Sequence, residues 1–113
     1  MVDVVLTAHA LLAPARAEAG VLLWLEELGL EVELGEASHL LAFDAASPST
    51  AMATVDFYPL EGGVATQVRL VVRHGDESEG GEAHLAVVLR NLVEADPDWT
   101  LDGLDTRPLF AER

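Results

Sequence analysis

Ala51-Met52-Ala53-Thr54-Val55-Asp56-Phe57-Tyr58, the turn Glu61-Gly62-Gly63, and Val64-Ala65-Thr66-Gln67-Val68-Arg69-Leu70-Val71-Val72-Arg73 read together as a β-hairpin. In the second arm Val64, Thr66, Val68, Leu70 and Val72 fall on one side, and Gln67, Arg69 and Arg73 on the other. That period of two belongs to a strand with one buried face. A two-residue turn at Gly62-Gly63 pairs Glu61 with Val64. The same register sets Phe57 opposite Val68 and Asp56 opposite Arg69, so a cross-strand ion pair is the expectation for Arg69. Arg73 is left without an assigned partner, and Pro59 ends the first arm or marks a sheet edge.

Upstream, Leu30-Glu31-Val32-Glu33-Leu34 alternates strictly and reads as a half-buried strand. Ser38 to Ala45 reads as another, with Leu41 and Phe43 on one face and Leu40 and Ala42 on the other. Before them, Pro14 to Leu28 has helical spacing. Ala17, Val21, Trp24, Leu25 and Leu28 share one face, Pro14 suits the first turn, and Gly29 suits the C′ position. Val2 to Leu12 fits either period: Val2, Val4, Leu6, Ala8 and Ala10 alternate, while Val5, His9 and Leu12 also fit a helical face. Downstream of the hairpin, Gly75 to Gly81 is an acidic loop. Glu82 to Ala95 is a second amphipathic helix, with Leu85, Val88, Leu89, Leu92 and Val93 on its apolar side. Asp96-Pro97-Asp98 breaks it. Trp99-Thr100-Leu101 starts a last short strand that Asp102-Gly103 or Asp105 turns, with Leu109 and Phe110 as a final edge segment. With no linker to split the chain, the sum is a single domain over residues 1–113. Its expected class is α+β, a two-layer sandwich in which two amphipathic helices cover an antiparallel sheet of four to six strands.

Composition narrows the function classes. The 113 residues hold 20 acidic side chains against six basic ones, all arginine, for a net charge of −14. Such a surface repels phosphate backbones and anionic lipid, so neither nucleic acid nor a membrane is an expected partner. Half the residues are hydrophobic, which separates the chain from disordered acidic tails. The acidity serves solubility, salt adaptation or a face for a basic partner. There is no cysteine, which removes disulfides and thiolate chemistry and fits a reducing compartment. Met1-Val2-Asp3 lacks the basic start of a signal peptide, and the longest apolar run, Gly20 to Leu25, is far below the roughly 18–20 residues of a span. The expected location is cytoplasmic.

Candidate chemistry is sparse. His9, His39, His74 and His84 match no metal-binding spacing. A cluster of His74, Asp76, Glu82 and His84 across the acidic loop is the one conceivable metal set, and separate histidines are the plainer reading. Asp76 to Gly81 has the look of the first half of a calcium loop, but Val87 stands where the bidentate glutamate belongs. Gly80-Gly81 lacks the Lys and Ser/Thr of a phosphate loop. No serine sits in a nucleophile elbow, and Glu26, Glu27, Glu31 and Glu33 read as solvent-facing. No cofactor, metal or catalytic residue is expected. The best interaction signal is the first helix, where Leu22 and Leu23 add apolar surface beyond the core stripe. Leu22, Leu23, Trp24 and Trp99 are therefore the candidate partner-binding residues.

The order of features also carries a resemblance. A helix ending Glu27-Leu28-Gly29-Leu30 is followed by a short strand, then Leu40-Leu41-Ala42-Phe43-Asp44 and a hairpin. A helix Leu85-Ala86-Val87-Val88-Leu89-Arg90-Asn91-Leu92 and a return strand at Trp99 to Leu104 complete it. Over roughly Ala19 to Phe110 this resembles the type III secretion chaperone-like fold, including the YbjN-like proteins. The resemblance implies a small, acidic, dimeric chaperone that binds extended protein segments along sheet and helix surfaces. Val2 to Leu11 as a true first strand would instead give β-α-β-β-β-β-α, nearer helix-grip or ferredoxin-like layouts. The leading expectation is a non-enzymatic protein-binding module that docks a partner segment and forms a homodimer. The alternative is a small-ligand or regulatory domain with a cavity lined by Phe43, Phe57, Val68 and Leu89. A hydrolase or isomerase would need a His–carboxylate pair converging in a cleft.

Overall fold

The computed structural model describes residues 2–36, 39–44, 51–74 and 81–108. Its elements run β1 (Val2–Ala10), α1 (Pro14–Glu27), β2 (Leu30–Glu36), β3 (His39–Asp44), β4 (Ala51–Leu60), a 3-10 turn (Glu61–Gly63), β5 (Ala65–His74), α2 (Gly81–Glu94) and β6 (Trp99–Pro108). The fold is α+β: two helices and one antiparallel sheet of six strands, in the order β2-β3-β4-β5-β1-β6. The ambiguous first segment is a strand, and it lies inside the sheet with β5 on one side and β6 on the other. Its alternation decides this. Val4, Leu6, Ala8 and Ala10 are buried on the core face, whereas Asp3, Thr7 and His9 stand on the other.

The core follows from rungs that cross the sheet. Leu6 pairs with Leu70, Leu70 with Val55, and Val55 with Leu40. Val4, Val72, Ala53 and Ala42 form the next rung, and Ala8, Val68 and Phe57 a third. These side chains join Ala17, Val21, Trp24 and Leu25 of α1, and Leu89 and Val93 of α2, in one hydrophobic cluster. α1 packs over β2, β4 and β5, and α2 over β6 and β1. Leu28 caps α1 in the right-handed region, and Gly29, at φ 76°, takes the left-handed position expected of it.

Three details differ from the sequence reading, and Pro59 takes the edge position expected of it. The hairpin register is as expected, with Asp56 opposite Arg69 and Phe57 opposite Val68, but the last pair is Leu60 with Ala65. Residues 61–64 therefore form a longer loop in which Glu61, Gly62 and Gly63 all have positive φ, and Val64 is a loop residue, not a core one. Pro59 lies within β4. It is tolerated because, among the described residues, β3 pairs with β4 only as far as His39–Asp56, which leaves the far end of β4 as an edge. The strict alternation of β2 is interrupted by a bulge between Val32 and Leu34 that places Leu34 opposite Leu41. Asp102-Gly103 does not turn the chain. A bulge there, between the pairs Thr7–Gly103 and Ala8–Leu101, lets β6 follow β1 over its full length. Leu109, Phe110 and the acidic loop at 75–80 lie outside the described residues.

Leu70 sits at the crossing of the central rung and is fully buried. Leu70→Ala is expected to cost about 2–5 kcal/mol of stability, measured by urea unfolding.

Candidate functional site

The four candidate partner residues divide. Trp24 (4 % exposed) and Trp99 (6 %) are interior, with ring centroids 4.7 Å apart at a 60° tilt. This tilted contact fixes the start of β6 against α1. Trp24 is spent on the core, and the little of Trp99 that is not buried there borders a groove beside α1. Leu22 (39 %) and Leu23 (63 %) do reach solvent. With Ala15 and Ala19, which are also exposed, they follow i, i+4, i+7 and i+8. α1 thus has a second apolar side facing away from the sheet.

Beside the N-terminal half of that side lies a groove of about 390 Å³. Leu12, Ala15, Arg16 and Ala19 form one wall, Asp96 and Asp98 the other, and Gly20 and Trp99 the floor. Its outer wall is held by a chain of hydrogen bonds. Asp96 N–H donates to Val93 O (3.2 Å), Trp99 N–H to Asp96 O (3.2 Å), and Asp98 N–H to Asp96 Oδ1 (3.0 Å). At the opposite end the buried Thr66 hydroxyl donates to Leu12 O at 2.9 Å, tying the β1–α1 connection to β5. Gly20 is needed for close approach: a Cβ there would stand 3.3 Å from Trp99 Nε1. That indole N–H is buried with no hydrogen-bond partner among the described residues, a cost that packing around Trp99 must offset.

The charges on α1 run against its dipole. Arg16 is in the first turn, and Glu26 and Glu27 are in the last; the first turn has no acid and the last no base. Each such placement opposes the helix field by about 0.3–1 kcal/mol. Arg16, Glu26 and Glu27 are all exposed.

The sheet face away from the helices carries polar pairs that the sequence did not reveal. His9 Nδ1 is 2.9 Å from both Asp102 carboxylate oxygens, and His39 Nδ1 is 2.7 Å from Asp56 Oδ1. Asp56 therefore engages His39, and the expected Asp56–Arg69 ion pair does not form despite the register. Arg73 binds Asp3, Nε to Oδ1 at 3.0 Å and Nη2 to Oδ2 at 3.3 Å. The carboxylate's hydrogen bond and charge raise the guanidinium above its usual value. Two His–carboxylate pairs are thus present, but neither lines this groove. The four residues expected to line a ligand cavity do not share one face. Phe57, Val68 and Leu89 are in the core cluster, whereas Phe43 pairs with Met52 on the other face.

Among the described residues no three His, Asp or Glu side chains form a metal cluster. The side chains of His74, Asp76, Glu82 and His84 lie outside them. No helix is long and apolar enough to cross a membrane. No protein-family model matches the chain, and no curated protein matches it.

The Gly20–Trp99 contact is testable. Gly20→Ala is expected to stay within about 1 kcal/mol of the parent, because helix propensity offsets crowding. Gly20→Val is expected to cost more than about 1 kcal/mol and to red-shift tryptophan emission as Trp99 is displaced.

Proposed function

We propose that the chain is a non-enzymatic protein-binding module that docks a polypeptide segment on the outer side of α1 and in the adjoining groove. The observation that carries this reading is Leu23, 63 % exposed on a helix whose core needs are already met by Ala17, Val21, Trp24 and Leu25. Ala15, Ala19 and Leu22 extend the patch, and the groove provides a recess for an anchoring side chain. The two His–Asp hydrogen bonds staple strands, β1 to β6 and β3 to β4. The element order from α1 onward supports a chaperone-like role of the kind implied by the type III secretion chaperone-like resemblance; β1 stands outside that span. Absence of cysteine supports a cytoplasmic setting for the same reading.

The test uses synthetic 15-residue peptides of apolar and basic composition, with tryptophan emission and anisotropy as readouts. A subset is expected to bind, and the double variant Leu22→Glu/Leu23→Glu to weaken that binding about tenfold or more. Binding unchanged by the double variant, or no peptide bound, would count against the reading.

A further inference from the structure

We infer that the occupant of the α1 surface is α1 of a second copy of this chain, packed antiparallel about a two-fold axis. This rests on the reading of α1 as a docking surface and adds the identity of what docks. Three observations converge on it.

The recess and the projection are at opposite ends of the same helix. The groove borders Ala15, Arg16 and Ala19, whereas Leu22 and Leu23 project one to two turns further on. Within one copy these features cannot meet. A two-fold axis at the level of Val21 brings them together twice, since residues equally distant from position 21 then face each other. Ala19 falls opposite Leu23 of the other copy, small against large, and that leucine lies over the groove floored by Trp99. An isologous contact of this kind closes at two.

The charges complete the match. The same operation sets Arg16 against Glu26 and Glu27 of the other copy, again twice. In isolation these three residues oppose the α1 dipole, a local conflict that α1 itself does not compensate. Antiparallel pairing removes the conflict, because each charged end meets its opposite. Asp96 and Asp98 on the far wall of the groove set two more acids beside the incoming Glu26 and Glu27, a repulsion that weakens the pairing and that added salt relieves. A single helix pair belongs to the small, transient class of interface. The dimer is therefore concentration dependent.

The test is charge swapping on the full chain, read by sedimentation velocity from micromolar to near-millimolar protein. Arg16→Glu alone and Glu26→Arg/Glu27→Arg alone are each expected to weaken self-association about tenfold or more. An equimolar mixture of the two variants is expected to restore it. In the mixed pair the glutamate introduced at position 16 of one copy faces the arginines introduced at positions 26 and 27 of the other. The unaltered Arg16 of the second copy then faces the unaltered Glu26 and Glu27 of the first. Both variants place charges in the sense the helix dipole prefers, so circular dichroism and thermal unfolding are expected to show intact or firmer folding. A parent chain that stays monomeric throughout, variants that associate like the parent, or a mixture no tighter than its components would each overturn the proposal. A monomeric parent that still binds peptides through Leu22 and Leu23 would overturn the second copy as occupant while leaving the docking surface in place.

Discussion

The structure depends on one placement, the insertion of β1 between β5 and β6. Leu6 meets Leu70 on one side and Leu104 on the other, and this rung continues through Val55 to Leu40. Because β1 holds an interior position, the chain must leave it through α1 and restart at the far edge with β2. That crossing lays α1 over the sheet. It also brings Asp3 to Arg73 and His9 to Asp102, and it sets Trp99 beside α1. The proposed docking surface is the outer side of the element that makes this crossing. Its inner side is occupied by the core, so whatever apolar residues remain on α1 face outward.

Local features were legible where the physics is local. Both helices were readable from their 3.6-residue spacing, and Pro14 and Gly29 marked the ends of α1. The hairpin register was readable although the turn was not. Lengthening a loop by one residue on each side preserves every pair beyond it, so Asp56 still meets Arg69. What remained hidden depends on partners far along the chain. His9 and Asp102 are 93 residues apart, Asp3 and Arg73 are 70 apart, and no local periodicity encodes such a pairing. The ambiguity of Val2 to Leu12 had the same origin, since its neighbours decide which period is used. Asp56 shows the limit of register itself: facing Arg69 did not settle which side chain it binds, because His39 on the adjacent strand is also in reach.

The candidate site was partly legible for a related reason. Leu22 and Leu23 stood out because they exceeded what one helical stripe needs. Trp24 and Trp99 were drawn in by residue type, and burial shows that their area goes to the core. Gly20 gave a signal that could have been used: a glycine in mid-helix weakens the helix unless something packs closely there, and Trp99 does. Arg16, Glu26 and Glu27 gave another. Net charge describes the whole surface, whereas the sign of each charge relative to the helix axis describes one element. The second was the more informative.

The two outer strands have a consequence for how many copies can assemble. β2 and β6 are the edges of the sheet, and each contains a bulge. β2 carries Glu31, Glu33 and Glu36 within seven residues, and β6 ends at Pro108. A sheet that grew by strand addition would extend without limit, and these edges resist it by misregister and repulsion. Growth along the hydrogen-bonding direction is thereby discouraged, whereas a contact between helix surfaces exhausts itself after one partner. The geometry of the margins thus bears on stoichiometry: they bias the molecule toward assemblies that terminate and away from those that propagate.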